Sequence, residues 1–219
     1  MDILRVGLLG GLLGLDGTSV GQFMVSRPVV AGALVGWAIG APALGITIGV
    51  ILELYLVVSF PTGGARFPEG ATATAVAVAS AAGVDAAGGI PLGIAVGLVW
   101  GQLGGATITG LRHLNSWLAP EPEDATHGPA RIVSAHFTAI LLDFTRGAVV
   151  TGSGVWVGTL LVRRLVESWP LSASASMGLL LVGGAVSAGI LLRDLGGFRR
   201  RRTVFVAGLA LGLLGARFL

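Results

Sequence analysis

The stretch "RPVVAGALVGWAIGAPALGITIGVILELYLVVSFPTGGARFPEG", Arg27–Gly70, decides the fold. It is apolar from Val29 onward, yet Gly40-Ala41-Pro42 interrupts it and a cluster of Pro and Gly residues closes it. Backbone that leaves the helix at membrane depth survives only where protein buries it or a polar cavity borders it. The sequence therefore predicts broken or re-entrant helices, with interruptions near Asp16-Gly17, at Gly40–Pro42 and at Pro61–Gly64.

Composition places the rest of the chain in the same environment. Of the 219 residues, 53% are hydrophobic and 11% are charged, and the mean hydropathy is +0.87, whereas soluble domains carry about 25% charged residues. We expect an all-α integral membrane protein, a polytopic bundle of about six to nine crossing or half-crossing segments at roughly 20 residues per span. Residues 1–219 are expected to form a single membrane-embedded domain with a polar loop at 111–131. The apolar N-terminus is expected to be a first, retained membrane segment.

Several kinds of chemistry are absent from the sequence. There is no cysteine and no lysine, so neither a disulfide nor a phosphate-binding loop with its lysine is expected. His113, His127 and His136 lack metal-ligand spacing. We expect no catalytic residue, no cofactor and no metal. The basic pI comes from arginines that flank apolar segments, which indicates membrane topology rather than nucleic-acid binding.

Membrane orientation stays open at this stage. Arg199–Arg202 is the densest basic cluster, and it favours a cytoplasmic position for its loop. Arg163-Arg164 then falls on the other side if the apolar run at 172–192 spans once. Either one of these assignments is wrong, or residues 132–162 form a hairpin.

Charged residues inside apolar runs need partners or a wet cavity. Asp143 and Arg146 are three apart on one helix face and are expected to pair. Glu53 is either a structural ion-pair member or a contact for a polar substrate. A helix from Leu44 to Phe60 would place Glu53 about 12 Å below the break at Pro61. This depth favours the structural role, in which Glu53 accepts hydrogen bonds from a neighbouring helix or pairs with an arginine such as Arg27.

The quoted stretch resembles the membrane component IIC of the mannose/sorbose family of phosphoenolpyruvate-dependent sugar phosphotransferase systems. The resemblance rests on Arg27-Pro28, the helix around "GVILEL" at Gly49–Leu54, the turn glycine Gly63 and the pair Pro68-Glu69. It implies a permease subunit that binds and translocates a sugar for phosphorylation by a soluble IIB component. It also implies a IID-like membrane partner, a soluble IIA component, an oligomer, and a multi-pass position in the bacterial cytoplasmic membrane.

The same resemblance implies the sugar site. It places the site at the turn that follows the "LEL" helix and in the segment before Arg27-Pro28. The candidate substrate-binding residues are Gln22, Thr62, Gly63, Arg66 and Glu69, and we expect their polar side chains to converge on one cavity.

This chain departs from the family pattern at both segments. Acids and a histidine frequent before the Arg-Pro pair are missing, which leaves Gln22, and Pro61 stands where asparagine is frequent. Two alternatives remain open: a regulatory or structural subunit that has lost transport, and a transporter of another small polar solute that works without phosphorylation.

Overall fold

The computed structural model describes residues 3–59, 66–119 and 128–215. Within these ranges the regular structure is helical, as predicted, with two short 3₁₀ turns at Val166–Ser168 and Phe198–Arg200. The α-helices are α1 (Ile3–Thr18), α2 (Pro28–Ala38), α3 (Pro42–Leu56), α4 (Gly70–Ala81), α5 (Gly89–Leu118), α6 (Gly128–Leu165), α7 (Ala173–Asp194) and α8 (Arg202–Gly215).

Helices α2 and α3 form a tight hairpin. Gly40 turns the chain with a φ of +77°, and proline begins each of the two helices. A Cβ on Gly45 would lie 2.1 Å from the carbonyl oxygen of Gly32, so only glycine permits this approach of the two backbones. With 11 and 15 residues, the helices are about 16 and 22 Å long, shorter than the roughly 30 Å hydrocarbon core. The predicted break at Gly40–Pro42 is confirmed.

Helix α4 is the centre of the bundle. Every residue from Ala71 to Ala81 is buried, because alanine and other small side chains let neighbouring helices approach from all sides. The glycines of α5 complete this packing: a Cβ on Gly97 would lie 2.4 Å from the carbonyl oxygen of Ala73. The helix is therefore enclosed by protein.

Helices α5, α6 and α7 are long and apolar enough to cross a membrane. The polar loop expected at 111–131 is shorter than predicted, because α5 continues to Leu118 and α6 begins at Gly128. The hairpin considered for residues 132–162 is wrong, since α6 is one helix of 38 residues. Its glycines serve packing instead: Gly147 lies against Gly11 of α1.

One further boundary agrees with the sequence prediction and one differs. Helix α1 ends at Thr18, one residue after Gly17, so the predicted break near Asp16-Gly17 is confirmed, whereas α3 ends at Leu56 rather than at Phe60. The predicted break at Pro61–Gly64 lies outside the described residues. The earlier end of α3 also removes the depth argument about Glu53, which lies in the last turn of its helix.

Candidate functional site

Four helix ends meet near the middle of the bundle. Glu69, just before α4, lies against Gly104 of α5, and Pro28 at the start of α2 lies beside Gly70. The ends of α1 and α3 join them, because Thr18 of α1 and Leu56 of α3 line the same cavity as Pro28 and Gly70. Helix α5 continues from Gly104 for about 21 Å to Leu118 and about 22 Å back to Gly89. The meeting point of the four helix ends therefore lies halfway along α5, a helix long enough to cross a membrane.

A buried charge cluster forms the floor at this level. Arg146 of α6 donates two hydrogen bonds to Glu69, at 2.9 Å and 2.8 Å, and a 3.0 Å ion pair joins it to Asp143. The three side chains are 9%, 6% and 0% exposed. Arg146 is thus the cation for two carboxylates, and the cluster of these three side chains has a formal net charge of one negative unit.

Hydroxyl groups complete the hydrogen bonding of these carboxylates. Thr72 donates to Glu69 at 2.8 Å, and Thr18 and Ser19, at the end of α1, donate to Asp143. Thr107 of α5 accepts from Arg146 at 3.2 Å. The cluster therefore joins α1, α4, α5 and α6 through polar contacts that would be costly to break in a dry interior.

A second ion pair lies at the base of the α2–α3 hairpin. Arg27 donates to Glu53 through Nη2, and the backbone N–H of Val29 donates to the other carboxylate oxygen at 3.3 Å. The side chains of Arg27 and Glu53 are 33% and 23% exposed. The expected partner of Glu53 is therefore present, in a half-exposed position that borders a cavity.

Asp16 shapes the irregular segment between α1 and α2. Its carboxylate accepts hydrogen bonds from the backbone N–H groups of Phe23, at 2.7 Å, and Ser26, at 2.8 Å. Gln22 and Met24 adopt left-handed backbone conformations with φ of 56° and 65°, which non-glycine residues seldom adopt. The chain here is folded around the side chain of Asp16, so the residue organises the loop instead of ending the helix.

Two adjoining cavities occupy the space between these groups. The smaller, about 110 Å³, is lined by Glu53, Glu69 and Arg27. The larger, about 480 Å³, is lined by Gln22, Arg27 and Arg112 among others, and has a volume typical of ligand sites. Both cavities are bordered by the same six residues, which are Gly17, Thr18, Ser26, Arg27, Phe67 and Ile108.

The predicted substrate-binding residues are distributed unevenly around these cavities. Gln22 lines the larger and Glu69 the smaller. Arg66 is exposed and is not among the residues lining either cavity. Thr62 and Gly63 lie outside the described residues. The convergence of the whole set on one cavity stays a prediction.

The sequence analysis gave Glu69 and Arg146 different roles, whereas the two side chains form an ion pair in the structure. It assigned Glu69 to substrate and paired Arg146 only with Asp143, whereas Arg146 binds both carboxylates. Glu69 and Arg146 are 77 positions apart, and a single sequence holds no signal for such a pair. Asp16, Ser19, Arg112 and Asn115 were also missed as cavity-lining residues, although Asp16 as an acid inside an apolar run was a usable signal.

The arrangement, in which Arg27 and Arg112 lie beside the carboxylates, suits the binding of a polar molecule. Carboxylates, hydroxyls and helix ends surround the cavities, and no group of three or more potential metal ligands occurs among the described residues. The N-termini of α2 and α4 and the C-termini of α1 and α3 offer both donors and acceptors.

Comparisons with known proteins agree with this architecture. A solved structure described as "Structure of membrane protein" shares the fold with a TM-score of 0.69 at 20% sequence identity, over 99% of this chain and 92% of that chain. No curated protein matches the chain. The family model described as "PTS system sorbose-specific iic component" matches residues 1–196. With its helical membrane fold and this match over most of its length, the chain belongs to the family of sorbose-specific IIC components of the sugar phosphotransferase system.

Proposed function

We propose that the chain binds a sugar in the two adjoining cavities and translocates it across the bacterial cytoplasmic membrane, where it is a multi-pass protein. The observation that carries this proposal is the meeting of four helix ends around a polar cavity halfway along α5. Discontinuous helices of this kind form the substrate sites of many transporters at mid-membrane depth.

Gln22, Thr62, Gly63, Arg66 and Glu69 are the proposed substrate-binding residues. The described members differ in their roles: Gln22 lines the larger cavity and contacts the sugar directly. Glu69 accepts two hydrogen bonds from Arg146, which fix its carboxylate at the wall of the smaller cavity. Asp143, Arg146, Arg27 and Glu53 are proposed as structural polar residues that hold the helix ends in place.

The distribution of arginines supports a cytoplasmic mouth. Asn115 and Leu118 of α5 and Ile132 and His136 of α6 border one pocket, so the end of α5 and the start of α6 lie on the same side. Helix α7 starts near Trp169, which contacts Gly88 at the opposite end, and passes Tyr55 at Gly183 before it ends at Asp194.

Among the described residues, the cavity end therefore holds most of the arginines near helix termini, which are Arg112, Arg131, Arg193, Arg199, Arg200, Arg201 and Arg202. Arg5, Arg163 and Arg164 lie towards the other end. By the positive-inside rule the cavity end faces the cytoplasm. On this assignment α7 crosses once, so Arg163 and Arg164 lie on the outer side and are the basic pair that departs from the rule.

A cytoplasmic mouth gives soluble components access to the bound sugar. Proteins of this family work with other phosphotransferase components, and we propose that a IID-like membrane protein completes the translocation unit. A soluble IIB component, supplied by IIA, would then phosphorylate the sugar at the mouth. This division of labour needs no catalytic residue in the chain.

Uptake in cells that lack other transporters of this class tests the proposal. The chain is co-expressed with companion IID, IIB and IIA components, and a panel of labelled hexoses is supplied. Accumulation of phosphorylated sugar supports the proposal. Accumulation of free sugar favours phosphorylation-independent transport, and an assembled protein that supports neither favours a regulatory or structural subunit.

A further inference from the structure

The charged groups that line the two cavities are unequally partnered. The carboxylates of Asp16, Glu53, Glu69 and Asp143 each accept hydrogen bonds from other groups of the chain. Of the two lining arginines, Arg27 is paired with Glu53. Arg112 is the other, and it forms no ion pair within the part of the chain that the structure describes.

Arg112 lies on α5 towards the cytoplasmic mouth. Its guanidinium lies over the ring of Phe67, with Cζ 5.9 Å from the ring centre, within the range of a cation–π contact. Phe67 is fixed in turn by close backbone packing, because a Cβ on Gly105 would lie 2.0 Å from the Phe67 carbonyl oxygen. A cation–π contact attracts the guanidinium to the ring without using its N–H groups as hydrogen-bond donors, so these stay available to a ligand.

Asn115 supplies a second unpartnered group next to Arg112. It follows Arg112 by three residues, so both lie on one helix face, and both line the larger cavity. Within the residues that the structure describes, the Asn115 side-chain oxygen Oδ1 is buried without a hydrogen-bond partner. Buried polar atoms are nearly always satisfied, and an amide can present either its oxygen or its NH₂ group. The site therefore has unused hydrogen-bonding capacity beside an unpaired cation.

We propose that Arg112 and Asn115 form an anion subsite at the mouth of the larger cavity, which binds the phosphoryl group of a phosphorylated sugar. The inference rests on the proposed function and adds a place for the product. Guanidinium groups match phosphate oxygens with paired, charge-assisted hydrogen bonds. The amide of Asn115 would add one neutral donor to a phosphate oxygen.

The charge differs between the floor of the cavities and their mouth, and this difference favours a neutral sugar at the floor and a phosphate group at the mouth. The floor carries Asp143 and Glu69, with Arg146 as the cation that contacts both. A neutral sugar is tolerated there, whereas a phosphorylated sugar is repelled by the excess carboxylate. The phosphate group is therefore held at the mouth by Arg112, and the product leaves on the cytoplasmic side.

Binding to the purified protein in lipid nanodiscs tests the subsite. The probes are hexoses, the corresponding hexose 6-phosphates and inorganic phosphate, applied to wild type and to Arg112→Gln, Arg112→Lys and Asn115→Leu. We expect Arg112→Gln to weaken hexose-phosphate binding by about tenfold or more, since it removes a charge-assisted pair, and to weaken neutral hexose binding by a clearly smaller factor. Arg112→Lys retains part of the affinity, because its charge lacks the paired geometry.

His113→Gln is the matched control, since His113 is the exposed neighbour on α5 and does not line the cavity. It should bind every probe like wild type, and thermal melting of each variant checks that it is folded. Equal hexose-phosphate binding by wild type and Arg112→Gln overturns the proposal, as does an equal loss of neutral and phosphorylated hexose. Failure of well-folded wild type to bind any phosphate probe overturns it as well.

The result also separates this inference from the proposed function. If phosphate binds in an Arg112-dependent way but no neutral hexose binds, the anion subsite stands and the sugar-translocation proposal fails. If hexoses bind and phosphates do not, the sugar site stands and the anion subsite fails.

Discussion

Two ion-pair systems lie at the same level of the bundle and differ in their access to water. Arg146 is nine-tenths buried and holds Glu69 and Asp143 between four helices. Arg27 and Glu53 are about one-third and one-quarter exposed at the base of the α2–α3 hairpin. Both systems consist of arginine and carboxylate, but one arginine serves two carboxylates in the buried cluster and a single carboxylate in the exposed pair.

The difference in burial determines how much free energy is lost when each ion pair is broken. Removing one partner of a buried pair leaves an uncompensated charge, which costs about 3–5 kcal/mol. A half-exposed pair is solvated when it opens, and its loss costs about 1 kcal/mol or less. The buried cluster is therefore suited to hold the bundle together, whereas the hairpin pair can open and close near a ligand at little cost.

The largest expected effect is that of Arg146→Leu. It leaves the Glu69 and Asp143 carboxylates buried without a cation, so the free energy of unfolding should fall by several kcal/mol. The measurement is the amount of monodisperse protein recovered from membranes by size-exclusion chromatography. Arg146→Lys should give an intermediate yield, because lysine cannot form the paired contacts to Glu69.

Arg163→Leu is the control for the loss of an arginine as such. Arg163 is exposed near the end of α6, so its replacement should leave the yield close to that of wild type. Equal yields of Arg146→Leu and Arg163→Leu would show that the buried cluster does not hold the bundle together.

Asp16→Ala should have the next largest effect. It removes the acceptor of the Phe23 and Ser26 backbone N–H groups, and loss of a buried acceptor costs about 1–3 kcal/mol. We expect increased proteolysis between α1 and α2, measured by limited digestion and mass spectrometry. Asp16→Asn, which keeps an acceptor oxygen, should be cut less; if both variants resist digestion like wild type, the carboxylate does not organise this segment.

Glu53→Gln and Glu53→Leu test the more exposed of the two systems, the Arg27–Glu53 ion pair. Gln keeps a hydrogen bond to Arg27 and should preserve the amount of assembled protein, whereas Leu should lower it only modestly, by about 1 kcal/mol or less in stability. Protein level and sugar uptake per molecule are measured together. A normal level with collapsed uptake in the Leu variant would identify Glu53 as a transport residue instead of a structural one.

Gln22→Ala should have the smallest effect on assembly. The side chain is exposed at the larger cavity, so the melting temperature should be unchanged. Loss of one hydrogen bond to a sugar, about 0.5–1.5 kcal/mol, should weaken uptake about two- to tenfold. Phe23→Ala, a change in an exposed neighbour outside the cavity lining, is the control, and equal uptake by Gln22→Ala and wild type contradicts the assignment.

The sequence was sufficient wherever the signal was local. Glycine and proline at 40–42 predicted the break between α2 and α3, and the three-residue spacing of Asp143 and Arg146 predicted their pair. The composition predicted the helical membrane fold. Each of these follows from neighbouring residues and the geometry of one helix.

The remaining features depend on contacts between distant segments. The role of Asp16 was missed because its carboxylate accepts from Phe23 and Ser26, which lie outside the helix. The binding of Arg146 to Glu69 depends on the packing of α6 against α4 and α5. The depth of Glu53 was misjudged because an apolar run does not show where its helix ends.

Glu69 and Arg146 are in contact in the fold but far apart in the sequence, and this distance along the chain affects how the protein is assembled during synthesis. The carboxylate leaves the ribosome 77 residues before its cation, an interval of roughly 4 to 15 seconds at about 5–20 residues per second. During that interval α4 carries an acid that lipid disfavours by about 2.5 kcal/mol or more. We therefore expect α4 to remain next to the insertion machinery until α6 has been synthesised. Helix α4 would then pack into the core when Arg146 becomes available to Glu69.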